Sequence, residues 1–309
     1  MPESTDVVTG SFGFIGRYIT DRLLTAGRPV KTITTHVEKP NPFGSKVQAF
    51  PYDFDRPDDL VKTLRGVDRL YNTYWIRFDH GGLTFGQAVQ NTKILFRCAA
   101  EAGVRKVVHI SVTHASEDSP LPYYSGKGLQ EKALIESGLA YSIIRPTLVF
   151  GKEDILVNNI AWLIRKFPIF PIAGDGRYKL QPIFVGDLAS IAIEHGQSAV
   201  SDIIDAIGPE TYTYEDLVRI IASAIGKDVT FIHVPPGLSI ILGKLIGAFL
   251  RDVILTKNEL CGLMDEYLTS TGTPNGPTIF SAWLEENREA IGIRYSSELA
   301  RHFRWSRRD

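Results

Sequence analysis

Cysteine is scarce in this chain. Cys98 and Cys261 are the only two in 309 residues and stand far apart, which excludes a disulfide framework and a cysteine-rich metal site and fits a reducing compartment. Net charge is nearly absent as well, at −1, so a nucleic-acid partner is not expected. Long apolar runs are missing. The most apolar segment, LSIILGKLIGAFL, is interrupted by Lys244 and followed by Arg251 and Asp252, and is too short to span a bilayer. Its spacing predicts an amphipathic helix packed on a core or a partner, with a membrane-surface helix as the alternative. The start, MPESTDVV, has no basic-then-apolar leader pattern, and a cytoplasmic location is expected. The basic end, RHFRWSRRD, reads as a solvated terminus. The seven histidines show no HExxH or similar spacing, so no metal is expected, and no GxSxG elbow marks a hydrolase.

What is present is an alternation of short β-rich runs and longer helical patterns. DVVTG, PVKTITT, KVQAF, DRLYNTYW, RKVVHISV and AYSIIRPTLVFG read as strands. Helical patterns lie between them: FIGRYITDRLLTAG closed by Gly27, RPDDLVKTLRG with Asp55 as its cap, and a long segment from about Leu83 to Ala102. The alternation predicts an α/β protein, a doubly wound parallel sheet of Rossmann type with helices on both faces. Residues 1–150 are expected to form a nucleotide-binding domain and 151–309 a smaller, mostly helical substrate cap, with 180–205 returning to the first domain.

Gly10, Gly13 and Gly16 lie in TGSFGFIG, directly after the first strand and opening the first helix. A tight turn needs a residue without Cβ, a pyrophosphate needs close backbone approach, and a helix N-terminus supplies amide donors. The stretch PYYSGKG places Tyr123 and Lys127 four apart at the start of a helix, hence on one face. A phenol titrates near ~10, and a neighbouring ammonium lowers that value towards acid–base work near neutrality. Ser111, at the end of the fifth strand, is placed to hold a substrate carbonyl, with Thr113 as its substitute. Two surface residues on one helical turn is the plain alternative for the Tyr–Lys pair.

TGSFGFIG, CAAEAGVRKVVHIS, YYSGK, IIRPTLVFG and QPIFVGDLA, in that order, resemble the short-chain dehydrogenase/reductase superfamily in its extended and atypical branches. The resemblance is good over roughly the first 200 residues. It is nearest to the NmrA-like proteins and the proteins similar to the 39-kDa subunit of respiratory complex I, a group that also holds epimerase- and dehydratase-type enzymes. It implies Tyr123, Lys127 and Ser111 as the catalytic set. It implies a cofactor surface of Gly10, Phe12, Gly13, Phe14, Ile15, Thr35, His36, Asp53, Phe54, Thr73, Lys127 and Pro146. Asp53 is read either as an adenine contact or as a cap at the approach to a helix. Where NAD-preferring domains carry an acid after the second strand, this chain has Thr34, Thr35 and His36, with Lys39 beyond; hydroxyls and a cation accept a 2′-phosphate, so NADP(H) is favoured over NAD(H). Glu38, turned inward, is the alternative in favour of the free ribose.

Leu180 stands where nucleotide-sugar enzymes of the extended branch carry an Arg for the substrate's phosphates. Its place in the sequence therefore speaks for another small-molecule substrate. Tyr74, Trp75 and Trp162 are candidates to line an apolar or aromatic pocket, against plain core packing. The expected activity is NAD(P)H-dependent oxidoreduction of a small carbonyl compound. A non-catalytic NAD(P)-binding sensor or accessory protein is the rival, and a homodimer is among the expected states.

Overall fold

The computed structural model describes residues 5–302; the readings of the first four residues and of the tail from Phe303 lie outside them. Two compact units form. The first runs up to Pro146 and takes back Val185–Ala206; the second combines Thr147–Phe184 with the chain from Ile207 onward.

In chain order the first unit contains β1 (Thr5–Thr9), α1 (Phe14–Thr25), β2 (Val30–Thr34), β3 (Val47–Pro51), α2 (Pro57–Leu64), β4 (Val67–Asn72), α3 (Phe85–Ala102), β5 (Lys106–Ile110), α4 (Pro122–Glu136) and β6 (Ala140–Pro146). The chain then supplies β7 (Leu148–Phe150), α5 (Leu156–Lys166), β8 (Ile169–Ala173), β9 (Lys179–Leu180) and β10 (Pro182–Phe184) to the second unit. It returns as α6 (Val185–Gln197) and β11 (Asp202–Ala206). It finishes in the second unit with β12 (Tyr212–Thr213), α7 (Tyr214–Ala224), β13 (Thr230–Val234), α8 (Pro236–Leu250), α9 (Lys257–Met264), α10 (Phe280–Asn287) and α11 (Glu298–His302).

The first unit is a seven-stranded parallel sheet in the order β11-β6-β5-β4-β1-β2-β3. Strands buried on both faces need continuous apolar runs, and β1, β4 and β5 supply Val7, Val8, Leu70, Val107 and Val108 with almost no exposure. Helices α2, α3 and α4 pack side by side, and α1 packs with α6. The strand order reverses between β1 and β4, where doubly wound sheets open a crevice beyond their carboxyl ends. The glycine loop leaves β1 at this point.

Three expectations need correction. The cap of α2 is Arg56, without a side-chain bond, not Asp55. The run AYSIIRPTLVFG is not one strand: β6 ends at Pro146, which has no N–H to continue a ladder, and β7 pairs instead with β10 in the second unit. Helix α8 is packed only in part: Gly243 and Gly247 are buried and Ile240, Leu242, Ile246 and Leu250 half-buried, while Leu238, Ile241, Leu245 and Phe249 stay exposed. The second unit has its own core, in which Phe150, Ile160, Leu180, Leu217, Ile221 and Phe280 come together.

Candidate active site

The glycine loop is built by steric necessity. Gly10 has φ +68°, the left-handed region that glycine enters without strain. Gly13 N–H donates to the Gly10 carbonyl at 2.8 Å, closing the turn. A Cβ on Gly16 would lie 2.3 Å from the Gly10 oxygen, so only glycine lets α1 start this close to β1. A Cβ on Gly13 would meet the same oxygen at 3.2 Å. No side chain caps α1, and Phe12, Phe14 and Ile15 are half-buried around its first turn. Thr73, just beyond β4, fastens the switch point: its N–H donates to Thr9 Oγ1 at 2.8 Å and its hydroxyl to the Thr9 carbonyl at 2.5 Å. These residues form a cradle that any added Cβ would fill, and they fit a nucleotide phosphate.

After β2, Thr34 Oγ1 accepts the N–H of His36 at 3.1 Å, while Thr35 is exposed and His36 half-buried. Asp53 is occupied locally. One oxygen accepts the Asp55 N–H at 3.0 Å and the other takes Arg56 at 2.7 Å, which holds its carboxyl below the usual range. These bonds lie in the turn before α2 and reach no amide of the helix itself. Phe54 packs against Tyr52 and Tyr74.

Tyr123 and Lys127 sit on the first two turns of α4. Lys127 is buried and donates to the Ile110 carbonyl, at the end of β5, at 2.8 Å. Its Nζ also lies 4.9 Å from the centre of the Trp75 ring. Burial pushes its pKa down to about 7, against the opposing pull of Glu131. Tyr123 is half-buried, its ring edge-on to Trp75 at 5.8 Å and to Phe85 at 6.1 Å. Trp75 therefore touches both members of the pair, and Phe85 stacks on it at 5.5 Å. The approach is close: a Cβ on Gly126 would come within 2.5 Å of the indole. The indole Nε1 is buried with no hydrogen-bond partner, an unmet donor beside the pair.

Ser111 is engaged by a group that local sequence patterns did not reveal. Its hydroxyl donates to Glu131 at 2.5 Å, and Glu131 receives Arg145 from β6 through both guanidinium branches, the Nε bond at 2.9 Å. The hydroxyl proton is thus committed to a carboxylate, and in this arrangement Ser111 presents lone pairs rather than a donor for a carbonyl. The Thr113 hydroxyl turns to the Pro146 carbonyl at 3.4 Å, which also accepts the Thr113 N–H at 3.1 Å.

The proposed pocket residues separate. Tyr74 is a core aromatic whose hydroxyl accepts Asn91 Nδ2 at 2.9 Å. Trp75 joins the Tyr–Lys pair. Trp162 belongs to the second unit and packs edge-on to Tyr295 at 5.4 Å. Leu180 is fully buried in that unit's core and Asp187 is buried in the first turn of α6. The sequence offered a signal for the Glu131–Arg145 pair: an arginine inside the apolar strand IIRP demands a buried acid.

A seven-stranded Rossmann sheet with a phosphate-ready glycine loop at its switch point defines an NAD(P)H-binding protein. A family model described as NAD(P)H-binding matches residues 10–155. Among curated proteins the chain is similar to the mitochondrial NADH dehydrogenase [ubiquinone] 1 alpha subcomplex subunit 9 of Arabidopsis thaliana, 24% identical over 240 residues, covering 74% of this chain and 60% of the relative. The Dictyostelium discoideum protein of the same name is 23% identical over 282 residues, covering 86% and 77%. Among solved structures, an NADPH-dependent quinone oxidoreductase from Escherichia coli complexed with NADPH superposes with a TM-score of 0.72 at 20% identity, covering 92% of this chain and 99% of that one. A triphenylmethane reductase from Citrobacter gives 0.69 at 18% identity, with the same coverage of 92% and 99%. These matches are to NAD(P)H-binding proteins of the kind grouped in the extended, atypical branch of the short-chain dehydrogenase/reductase superfamily, and the chain is similar to them in fold and in its first half. Among the described residues no helix is long and apolar enough to cross a membrane.

Proposed function

We propose that the protein is an NAD(P)H-dependent oxidoreductase that reduces a small apolar or aromatic carbonyl compound, with Tyr123 as its proton donor. The observation that carries this reading is the clasp of Trp75 on both Tyr123 and Lys127 at the carboxyl end of β5. A bound nicotinamide cofactor supplies the hydride for the carbonyl carbon. Gly10, Gly13 and Gly16 hold its phosphates, Thr73 stands at the switch point, and Thr35 and His36 receive the ribose, for which NADP(H) is the preferred form. Tyr123 delivers the proton to the carbonyl oxygen. Lys127, poised near neutrality by burial, stabilises the phenolate that remains. The aromatic walls of Trp75 and Phe85 favour apolar substrates, and the burial of Leu180 leaves no cation at that position for a nucleotide sugar. A cytoplasmic setting belongs to this reading, in keeping with the two free thiols.

The accessory reading has its own support. The Ser111 proton is held by Glu131, and several relatives are named as subunits of NADH dehydrogenase. Single-turnover hydride transfer separates the two, using NADPH-loaded protein and a panel of small quinones, ketones and aldehydes. The enzyme reading expects oxidation of the bound NADPH by at least one carbonyl, slowed by roughly 10²–10⁴ in Tyr123→Phe. Tight NADPH binding without transfer to any of the panel supports the accessory reading; transfer that Tyr123→Phe leaves unchanged keeps an oxidoreductase and removes Tyr123 as its proton donor.

A further inference from the structure

Helix α8 is apolar beyond the side that packs. Its buried residues are Gly243 and Gly247, and the chain returning after the helix lies against them. A Cβ on Gly247 would sit 2.5 Å from the Asp252 carbonyl oxygen, and one on Gly243 would sit 3.6 Å from Leu255 Cβ. Glycine therefore brings the helix to the second unit by backbone contact; Ile240, Leu242, Ile246 and Leu250 are half-buried, and four large apolar side chains are left exposed. Leu238, Ile241, Leu245 and Phe249 are 43%, 55%, 63% and 86% exposed. At ~100° per residue these four fall on one stripe of the helix.

The exposed charges of this stretch of chain have one sign. Between Pro235 and Asn258 the exposed charged residues are Lys244, Arg251 and Lys257. The only acid in that span, Asp252, is buried, accepting the Tyr295 hydroxyl at 2.7 Å and the N–H groups of Glu298 and Leu299. Lys244 lies on the edge of the stripe, where its alkyl stem can follow the apolar surface and its ammonium can reach up to a polar layer. A helix that is apolar on its outer side and flanked by cations is complementary to the boundary of an anionic bilayer, where the apolar face enters the acyl region and the cations meet the headgroups. A second copy of the chain is a poorer occupant. The stripe is about 17 Å long and one helix wide, a few hundred Å² at most, against about 800 Å² per partner in a stable dimer.

We propose that α8 is a membrane-surface anchor that lays Leu238, Ile241, Leu245 and Phe249 onto an anionic lipid bilayer, with Lys244, Arg251 and Lys257 on its headgroups. The test is co-sedimentation of the full chain with vesicles of phosphatidylcholine alone and of phosphatidylcholine mixed with phosphatidylserine. Binding is expected to the mixed vesicles and to weaken with added salt. Leu245→Glu with Phe249→Glu should abolish it without changing the melting temperature, because both side chains stand outside the packed interior. Lys244→Gln with Lys257→Gln should weaken it roughly 30-fold, about fivefold per cation. The proposal is overturned by absence of binding to both vesicles, by equal binding to phosphatidylcholine alone, or by binding that the glutamate variant retains. A concentration-dependent dimer that the glutamate variant dissolves would assign the stripe to a second copy instead.

Discussion

Tyr123 and Tyr124 are neighbours on α4 and differ in surroundings: Tyr124 is buried, while Tyr123 keeps part of its ring accessible beside Trp75. Tyr124→Phe is therefore the internal control for Tyr123→Phe and should leave hydride transfer within about twofold. The state of Ser111 makes a separate prediction. Its proton goes to Glu131, so Ser111→Ala should lower turnover far less than Tyr123→Phe, by under about tenfold. It should instead destabilise the fold by roughly 1–3 kcal/mol, because Glu131 loses a buried partner. A loss of turnover equal to that of Tyr123→Phe, measured beside urea unfolding, would restore Ser111 to the carbonyl. Lys127 gives a pH signature. Its folded pKa of about 7 lies below the unfolded lysine value. Above about 7 the unfolded chain thus holds the extra proton, and stability rises with pH, by up to about 1.4 kcal/mol per pH unit. The cost of the buried ammonium is complete below that range. Urea unfolding between about pH 6 and pH 9 should show this rise in the wild type and lose it in Lys127→Met. Parallel profiles would mean that the ammonium is solvated in the folded chain.

At the scale of elements, the turn from β1 into α1 depends on the absence of one side chain. Gly16→Val puts atoms where the Gly10 carbonyl already lies, so α1 must withdraw from β1. Loss of nucleotide binding together with a lowered melting temperature is the expected result. Unchanged binding by titration would place the phosphates elsewhere. The same turn shows what was legible in the sequence. β1, β2, β4 and β5 announce themselves as short runs rich in Val, Ile, Leu and Thr, and the helices between them carry a clear period. β8 was hidden by Pro171, and β9 and β12 by having two residues each. β11 was masked by Asp202 and Asp205, which an edge strand tolerates. The stripe of α8 could be read, but not its direction, because only the structure shows which face the glycines occupy. Tyr123 and Lys127 were visible through spacing four. Trp75 was legible as a pocket candidate and Arg145 as the mark of a buried acid, but not that Trp75 meets the Tyr–Lys pair or that the acid is Glu131, because those contacts link residues apart in the chain.

For the whole molecule, nucleotide binding should act on one unit of the two. The glycine loop, Thr73 and the residues after β2 all belong to the first unit, which has a core of its own around Val7, Leu70, Leu95 and Val107. A ligand that binds only the folded form stabilises it by about 2.7 kcal/mol at a hundred times its dissociation constant. For a unit of this size that is a rise of roughly 5–10 °C in melting temperature. NADPH at that excess should give such a shift. NADH at the same concentration should give about half of it, if Thr35 and His36 receive a 2′-phosphate that NADH lacks and the loss is about tenfold in affinity. Hydrogen exchange measured on the same samples should slow at the amides of residues 10–16 and 34–36. Amides of the second unit's core, around Ile160 and Leu217, provide the comparison within the same chain. Equal shifts with both nucleotides would remove the NADP preference while keeping the glycine loop as the phosphate site. A shift without slowed exchange at residues 10–16 would remove the loop itself, since a pyrophosphate held there must take its hydrogen bonds from those amides.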